Sequence, residues 1–247
     1  MPTALITGAT AGLGRALAET LARHQWTLIV NGRRADRIQE TDEALSAHTR
    51  TLAITGDVSD PAHRATLIES AREAGPIDLL VNNASELGGS PPPELADLEP
   101  TTFARLLAVN VEAPLELIRT ALPHLSASGA VINISSDAAV EHYEGWGGYA
   151  ATKAALDHLT LTLAAEQPQR RFYAVDPGDM RTEMHQDAFP GEDISDRPLP
   201  ETVAPTLAAL AASALPSGRY RAGELRDRLG TAVDAYAVTD HPAGAPQ

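Results

Sequence analysis

The sequence predicts an α/β fold, with a parallel sheet covered by helices on both faces. Three observations lead there. Short apolar runs alternate with amphipathic stretches along most of the chain. The runs lack polar alternation, so both faces of each strand are expected to be buried. A glycine-rich turn, Gly8-Ala9-Thr10-Ala11-Gly12-Leu13-Gly14, joins the first run to the first amphipathic stretch.

The first run, Ala4–Thr7, is expected as a strand and Leu13–His24 as a helix, in which Leu13, Leu17 and Leu21 recur one turn apart. Thr27–Asn31 and Thr51–Thr55 read as strands, with Ala35–Ala47 as the helix between them. Pro61–Ala74 follows, its proline suited to a first helical turn. Leu79–Asn82 is the fourth strand, and Gly88-Gly89-Ser90-Pro91-Pro92-Pro93 is a loop by composition. Phe103–Leu125 has helical periodicity, and Pro114 is expected to kink it or divide it in two. Ala130–Ser135 and Phe172–Asp176 are further strands, separated by a helix over Gly148–Glu166. Residues 182–200, rich in Pro, Gly and acids, read as a mobile flap before a helix at Pro200–Ala214. Ser217–Ala222 supplies a short seventh strand, and Thr231–Gln247 reads as a frayed tail. No repeat or second-domain boundary is visible, so residues 1–247 are expected to form one domain.

Bulk properties narrow the function. The net charge of −14 makes nucleic acid and anionic membranes poor partners. The absence of cysteine excludes disulfides, thiolate catalysis and Cys-ligated metals. No HExxH occurs and the eight histidines are scattered, so no metal site is expected. No signal peptide and no membrane-length apolar stretch is read, which gives a soluble cytoplasmic protein as the expectation.

The glycine turn permits close backbone approach, and the helix after it offers N–H groups and a positive dipole end to a pyrophosphate. The second strand ends in Asn31-Gly32-Arg33-Arg34, without the acid that normally binds a ribose 2′-hydroxyl. Arg33 and Arg34 instead suit a 2′-phosphate, so NADP(H) is expected over NAD(H), with Arg15 a third candidate. Asp57, followed by Val58, reads equally as an acceptor for an adenine amino group and as a turn acid. Asn83 and Ala84, Ser135 and Ser136, and Asp176-Pro177-Gly178 end the fourth, fifth and sixth strands, where ligands bind in such sheets. Tyr149 and Lys153, the only lysine beside 18 arginines, stand one helical turn apart. The ammonium is expected to lower the phenol pKa and make it a general acid or base.

These motifs together resemble the short-chain dehydrogenase/reductase family. Thr7–Gly14 is similar to its TGxxxGxG, Asn82-Asn83-Ala84 to its NNA and Tyr149–Lys153 to its YxxxK. Ser136, thirteen residues before Tyr149, stands where the family has its catalytic serine. Asn110 matches the family asparagine, and Pro177-Gly178 with Thr182 its PGxxxT segment. The resemblance implies a single-domain Rossmann-type, doubly wound sheet of about seven strands in the order 3-2-1-4-5-6-7. It implies a cofactor held by Gly8, Thr10, Gly12, Leu13 and Gly14, by Arg33, Arg34, Asp57 and Val58, and by Asn83, Ala84, Tyr149, Lys153, Pro177, Gly178 and Thr182. Tyr149 would donate the proton, Ser136 would bind the carbonyl oxygen, Lys153 would tune Tyr149 and hold the ribose, and Asn110 would anchor a water. The expected partner is a small carbonyl or alcohol, and the expected assembly a homodimer or homotetramer built through Phe103–Leu125 and Gly148–Glu166. An epimerase, dehydratase or cyclase on the same fold is the alternative reading.

Two departures stand out. Ser85 replaces the glycine of the family's NNAG, and the usual C-terminal Asp-Gly-Gly is missing. The substrate pocket is expected from Asp137, Tyr143 and Trp146, between the serine and the tyrosine, and from Met184 and His185 on the flap.

Overall fold

The computed structural model describes residues 1–237. Its core is a seven-stranded sheet: β1 (Thr3–Ile6), β2 (Thr27–Gly32), β3 (Thr51–Thr55), β4 (Ile77–Asn82), β5 (Leu125–Ile134), β6 (Arg171–Asp176) and β7 (Gly218–Arg221). The order is β3-β2-β1-β4-β5-β6-β7 and every pairing is parallel. The chain reverses direction across the sheet between β1 and β4, which opens a crevice beyond their carboxyl ends.

Among the described residues the helices are α1 (Gly12–Arg23), α2 (Ala35–Ser46), α3 (Pro61–Ala74), α4 (Pro100–Leu107), α5 (Ala113–Ala121), α6 (Gly147–Glu166), α7 (Glu183–Ala188), α8 (Ala204–Ala212), α9 (Ala222–Leu229) and α10 (Thr231–Asp234). Strand alternation sorts the apolar side chains onto two faces. Ile6, Val30, Val81, Ile132 and Val175 pack on one side with Leu17 and Leu21 of α1 and Leu207 and Leu210 of α8. Leu5, Ile29, Leu80, Val131 and Phe172 pack on the other with Leu67 of α3 and Leu117 and Ile118 of α5. Each such side chain contributes roughly 1.5–3 kcal/mol when fully buried.

The expected double burial holds for the inner strands but not for β3. Thr51–Ile54 are only half-buried and Thr55 is exposed, because β3 is an edge strand. β7, expected from Ser217–Ala222, pairs with β6 from Tyr173↔Gly218 to Asp176↔Arg221. The irregularity expected at Pro114 lies earlier. A π-helical turn over Ala108–Glu112 joins α4 to α5, and Pro114, in the first turn of α5, has no N–H to donate back into it. The flap segment contains α7, whose N-terminus is capped by the Thr182 hydroxyl accepting from His185 N at 3.1 Å. The predicted Pro200–Ala214 helix divides into a 3₁₀ turn, Pro200–Thr202, and α8. Of the predicted tail, residues 238–247 lie outside the described residues. Among the described residues no helix is long and apolar enough to cross a membrane, and no group of three or more acidic or histidine side chains could hold a metal.

Candidate active site

A cleft of about 1220 Å³ runs along the carboxyl ends of the strands. One end is built by the turn between β1 and α1. Gly8 and Gly12 have φ of 65° and 51°, the left-handed region that favours glycine. A Cβ on Gly14 would lie 2.4 Å from the Gly8 carbonyl oxygen, so this glycine is required for packing and does not line the cleft. The N-cap of α1, Ala11, offers no side-chain acceptor, so the first N–H groups of the helix remain for a ligand. Thr7 and Asn83 lock the turn to β4. The Thr7 hydroxyl accepts from Asn83 N at 3.0 Å and Ala84 N at 3.1 Å, and Asn83 Nδ2 donates to the Thr7 and Gly8 carbonyls at 3.0 Å each. Asn83 lines the cleft, but its amide is committed to bracing the glycine turn.

The two arginines after β2 part company. Arg33 lines the cleft and pairs with Glu86, whereas Arg34 turns outward to Asp36 at 2.7 Å and does not reach the cleft. The bend at Arg33 separates the two side chains: Arg34, the N-cap of α2, lies outside the cleft lining, against the expectation that both guanidinium groups serve one phosphate. Arg105 of α4 holds both Glu86 oxygens at 2.8 and 3.0 Å, Asp57 Oδ2 at 2.6 Å and Ser59 Oγ at 2.6 Å. Asp57 Oδ1 accepts from Ser59 N at 2.9 Å and from its hydroxyl at 2.8 Å. Burial alone would raise the Asp57 pKa, but the bonds from Ser59 and Arg105 outweigh it and hold the carboxyl below its ordinary value. The Asp57 carboxylate therefore serves the turn and an ion pair, and Val58 lies beside it in the cleft wall. Glu86 and Arg105 were not evident from the sequence. Their one signal is position: Glu86 follows the end of β4, and Arg105 interrupts the apolar stretch Phe103–Val109.

The other end of the cleft is built by β5, α6 and β6. Ser136 follows β5 and caps a short helical turn, accepting from Ala138 N at 3.1 Å. Arg219 on β7 fixes its backbone, donating to the Ser136 carbonyl at 2.8 Å while pairing with Asp157 of α6 at 2.7 Å. Tyr149 and Lys153 are buried on one face of α6, 7% and 2% exposed. The Lys153 ammonium donates to the Ile134 carbonyl at 2.8 Å and lies 5.4 Å from the centre of the Tyr149 ring. Ser136, Tyr149 and Lys153 share one wall of the cleft with Pro177, Gly178 and Thr182.

The electrostatics differ from the simple expectation for a Tyr–Lys pair. Burial pushes the Tyr149 phenol well above its ordinary pKa, and the carboxylates of Asp137 and Asp176 add to this against the Ser136 and Ser85 hydroxyls. Burial lowers Lys153 to about 8, partly opposed by Asp157. Both groups are thus driven toward their neutral forms. The expected lowering of the phenol pKa by the ammonium is not what this structure displays.

Asn110 lies behind the wall, 1% exposed, in the π-helical turn. Its Nδ2 donates to the Glu86 carbonyl at 2.9 Å and Thr152 Oγ1 at 3.0 Å, and its Oδ1 accepts from Glu86 N at 2.9 Å and Ser85 Oγ at 3.1 Å. That uses the full capacity of a carboxamide. The side chain is a brace between the segment after β4 and α6. Ser85, where the family has glycine, takes part in this brace.

The candidate substrate side chains all line the cleft. Tyr143 donates to Asp137 Oδ2 at 2.8 Å. Trp146 stands edge-on to Tyr149 and tilted against Phe189, each with ring centres 5.7 Å apart. His185 packs on Phe189 at 5.0 Å, and Met184 lies on the same helix.

Comparison with known proteins agrees with this architecture. The family described as short chain dehydrogenase matches residues 2–193. The oxidoreductase YvrD of Bacillus subtilis is 35% identical over 162 residues, 65% of this chain and 60% of that protein. A Haemophilus influenzae protein named "Probable NADP-dependent dehydrogenase" is 34% identical over 197 residues, 77% of each chain. An alcohol dehydrogenase from the archaeon Thermococcus sibiricus, solved with 5-hydroxy-NADP, superposes with a TM-score of 0.80 at 26% identity, covering 90% of this chain and 95% of that one. With the family match spanning most of the sequence and the parallel seven-stranded sheet carrying these motifs at its strand ends, the chain belongs to the short-chain dehydrogenase family.

Proposed function

We propose that the protein is an NADP(H)-dependent oxidoreductase that interconverts a carbonyl and a secondary alcohol, with Tyr149 as the general acid and base. The observation that carries this reading is the shared cleft: a protonated, buried phenol and the Ser136 hydroxyl line the same cavity as the glycine turn and the α1 N-terminus. The turn fits a dinucleotide, because Gly8, Gly12 and Leu13 line the cleft and the N-cap Ala11 has no side-chain acceptor to occupy the first N–H groups of α1. Arg33 is the guanidinium placed for a 2′-phosphate, which it would take in exchange for Glu86. The NADP in the name of the Haemophilus relative and the 5-hydroxy-NADP bound by the archaeal alcohol dehydrogenase support the same preference.

NADPH, when bound, supplies the hydride. The residues of this chain do the rest. Lys153 would hold the ribose hydroxyls of the cofactor beside Tyr149. Ser136 donates to the carbonyl oxygen as charge develops there. Tyr149 transfers its phenolic proton to that oxygen, which gives the alcohol. In the reverse direction the phenolate accepts the alcohol proton. Trp146 and Phe189 pack together on the cleft wall and offer apolar surface to the substrate. Assembly as a homodimer or homotetramer through the α4–α5 and α6 segments belongs to the same reading, and Leu107 and Leu161, partly exposed there, are the apolar side chains such an interface would cover.

The test is stoichiometry over a panel of ketones, quinones and keto-sugars. One NADPH is consumed for each alcohol formed. Product formed without net cofactor consumption would replace this reading with an epimerase, dehydratase or cyclase.

A further inference from the structure

The Ser136 hydroxyl has one proton, and a carboxylate stands within hydrogen-bond distance of it, beside the Tyr149 phenol. Ser136 Oγ lies 3.0 Å from Asp137 Oδ1. An ionised carboxylate only accepts, so the hydroxyl is the donor. The Ala138 N–H donates both to Ser136 Oγ at 3.1 Å and to Asp137 Oδ1 at 2.8 Å, which closes a small ring and fixes the serine rotamer. Carbonyl reduction needs a different arrangement. The developing oxyanion must receive the Ser136 proton. Asp137 therefore competes with the substrate oxygen for the same hydrogen bond, and a charged acceptor is the stronger competitor in the ground state.

We propose that Asp137 selects carbonyl substrates bearing a hydrogen-bond donor, a hydroxyl or an ammonium group, on the carbon beside the carbonyl. The substrate donor occupies Asp137 and the Ser136 proton turns to the carbonyl oxygen. This inference rests on the carbonyl-reductase reading above. The dimensions agree with it: the carbonyl oxygen and the neighbouring donor atom of such a compound stand about one hydrogen-bond length apart, as Ser136 Oγ and Asp137 Oδ1 do. In this scheme the substrate donor replaces the Tyr143 hydroxyl on the carboxylate. Asp137 lines the cleft, and its other oxygen is covered by the hydroxyl of Tyr143, a side chain 46% exposed on the loop before α6. Movement of that side chain opens Oδ2 to the cleft. Trp146, Phe189 and Met184 offer apolar surface nearby for the rest of the molecule. Asp137 is a specificity-determining residue in this scheme: it binds the neighbouring donor and leaves the Ser136 proton to the reacting oxygen.

The test uses the full chain with NADPH and three ketones: α-hydroxyacetophenone, α-methoxyacetophenone and α-aminoacetophenone. The methoxy compound keeps an electron-withdrawing oxygen beside the carbonyl and removes only the donor. The wild type is expected to reduce the hydroxy ketone with kcat/KM about tenfold or more above the methoxy ketone, the scale of one hydrogen bond to a charged group. The amino ketone, tested as its ammonium, distinguishes a need for positive charge from a need for any donor; preference for either donor compound over the ether supports the proposal. Asp137→Ala should bring the hydroxy-to-methoxy ratio to about one, and Asp137→Asn, which keeps the acceptor to Ala138 N, to an intermediate value. NADPH binding by both variants checks the site. If Asp137→Ala fails to fold, the ratio for Asp137→Asn decides alone. A wild-type ratio near one, or a ratio unchanged in the variants, overturns the proposal and leaves the reductase reading standing. No NADPH consumption with any of the three overturns the proposal, and the wider panel of ketones, quinones and keto-sugars then decides the reductase reading.

Discussion

Tyr149→Phe is expected to lower reductive turnover by roughly 10²- to 10⁴-fold while NADPH binding remains close to wild type. The substitution removes one hydroxyl from a side chain that is 7% exposed, and it keeps the ring that packs against Trp146. Fold and cleft should survive, so the loss reads out proton transfer and not structure. Burial together with the Asp137 and Asp176 carboxylates keeps the phenol protonated at neutral pH, which suits an acid that must give up its proton to an alkoxide. Ser136 donates to Asp137, and the Lys153 ammonium is bound to the Ile134 carbonyl. Rapid-mixing absorbance of NADPH separates binding from turnover. Turnover within a few-fold of wild type would remove Tyr149 from the chemistry.

The second large effect concerns cofactor choice. Arg33→Ala is expected to raise the Kd for NADPH by about tenfold while leaving that for NADH within about twofold. A hydrogen bond to a charged group contributes about 1.5–3 kcal/mol. The lower end applies here, for two reasons. The Arg33 side chain is 59% exposed, so solvent screens the contact. The guanidinium must also leave Glu86 before it can bind a phosphate. That exchange is eased by Arg105, which holds both Glu86 oxygens and remains when Arg33 departs. Arg34→Ala should change neither Kd, because Arg34 is paired with Asp36 outside the cleft. Fluorescence titration of the two cofactors checks all three statements. Equal weakening of NADPH and NADH by Arg33→Ala would contradict the assignment of the 2′-phosphate.

How much of this was legible in the sequence depended on distance along the chain. The inner strands were visible because uninterrupted apolar runs such as Leu28–Val30 and Ala130–Ile132 leave no polar face to turn outward. The glycine turn and the Tyr149–Lys153 spacing were visible because both are local patterns. β3 was misjudged on burial, since an edge position depends on the order of strands and not on their composition. Arg33 and Arg34 look alike as neighbours, and only the backbone direction after β2 separates them. The phenol pKa was misjudged for a related reason. Spacing placed an ammonium near Tyr149, but burial of both groups, which spacing does not report, dominates. Least visible were contacts between segments far apart in sequence: Arg105 with Asp57 and Glu86, Arg219 with the Ser136 carbonyl, and Asn110 with Glu86 and Thr152. Each fixes a wall of the cleft, and each joins residues that no local pattern connects.

Hydride transfer in this cleft is the central claim, and isotope transfer tests it most directly. NADPH carrying deuterium at the reactive nicotinamide carbon is turned over with a reducible ketone, and the alcohol is examined by mass spectrometry and NMR. Deuterium should appear at the carbinol carbon of the product, from one face of the nicotinamide only. An alcohol free of deuterium from both stereospecifically labelled forms of NADPH would contradict the account.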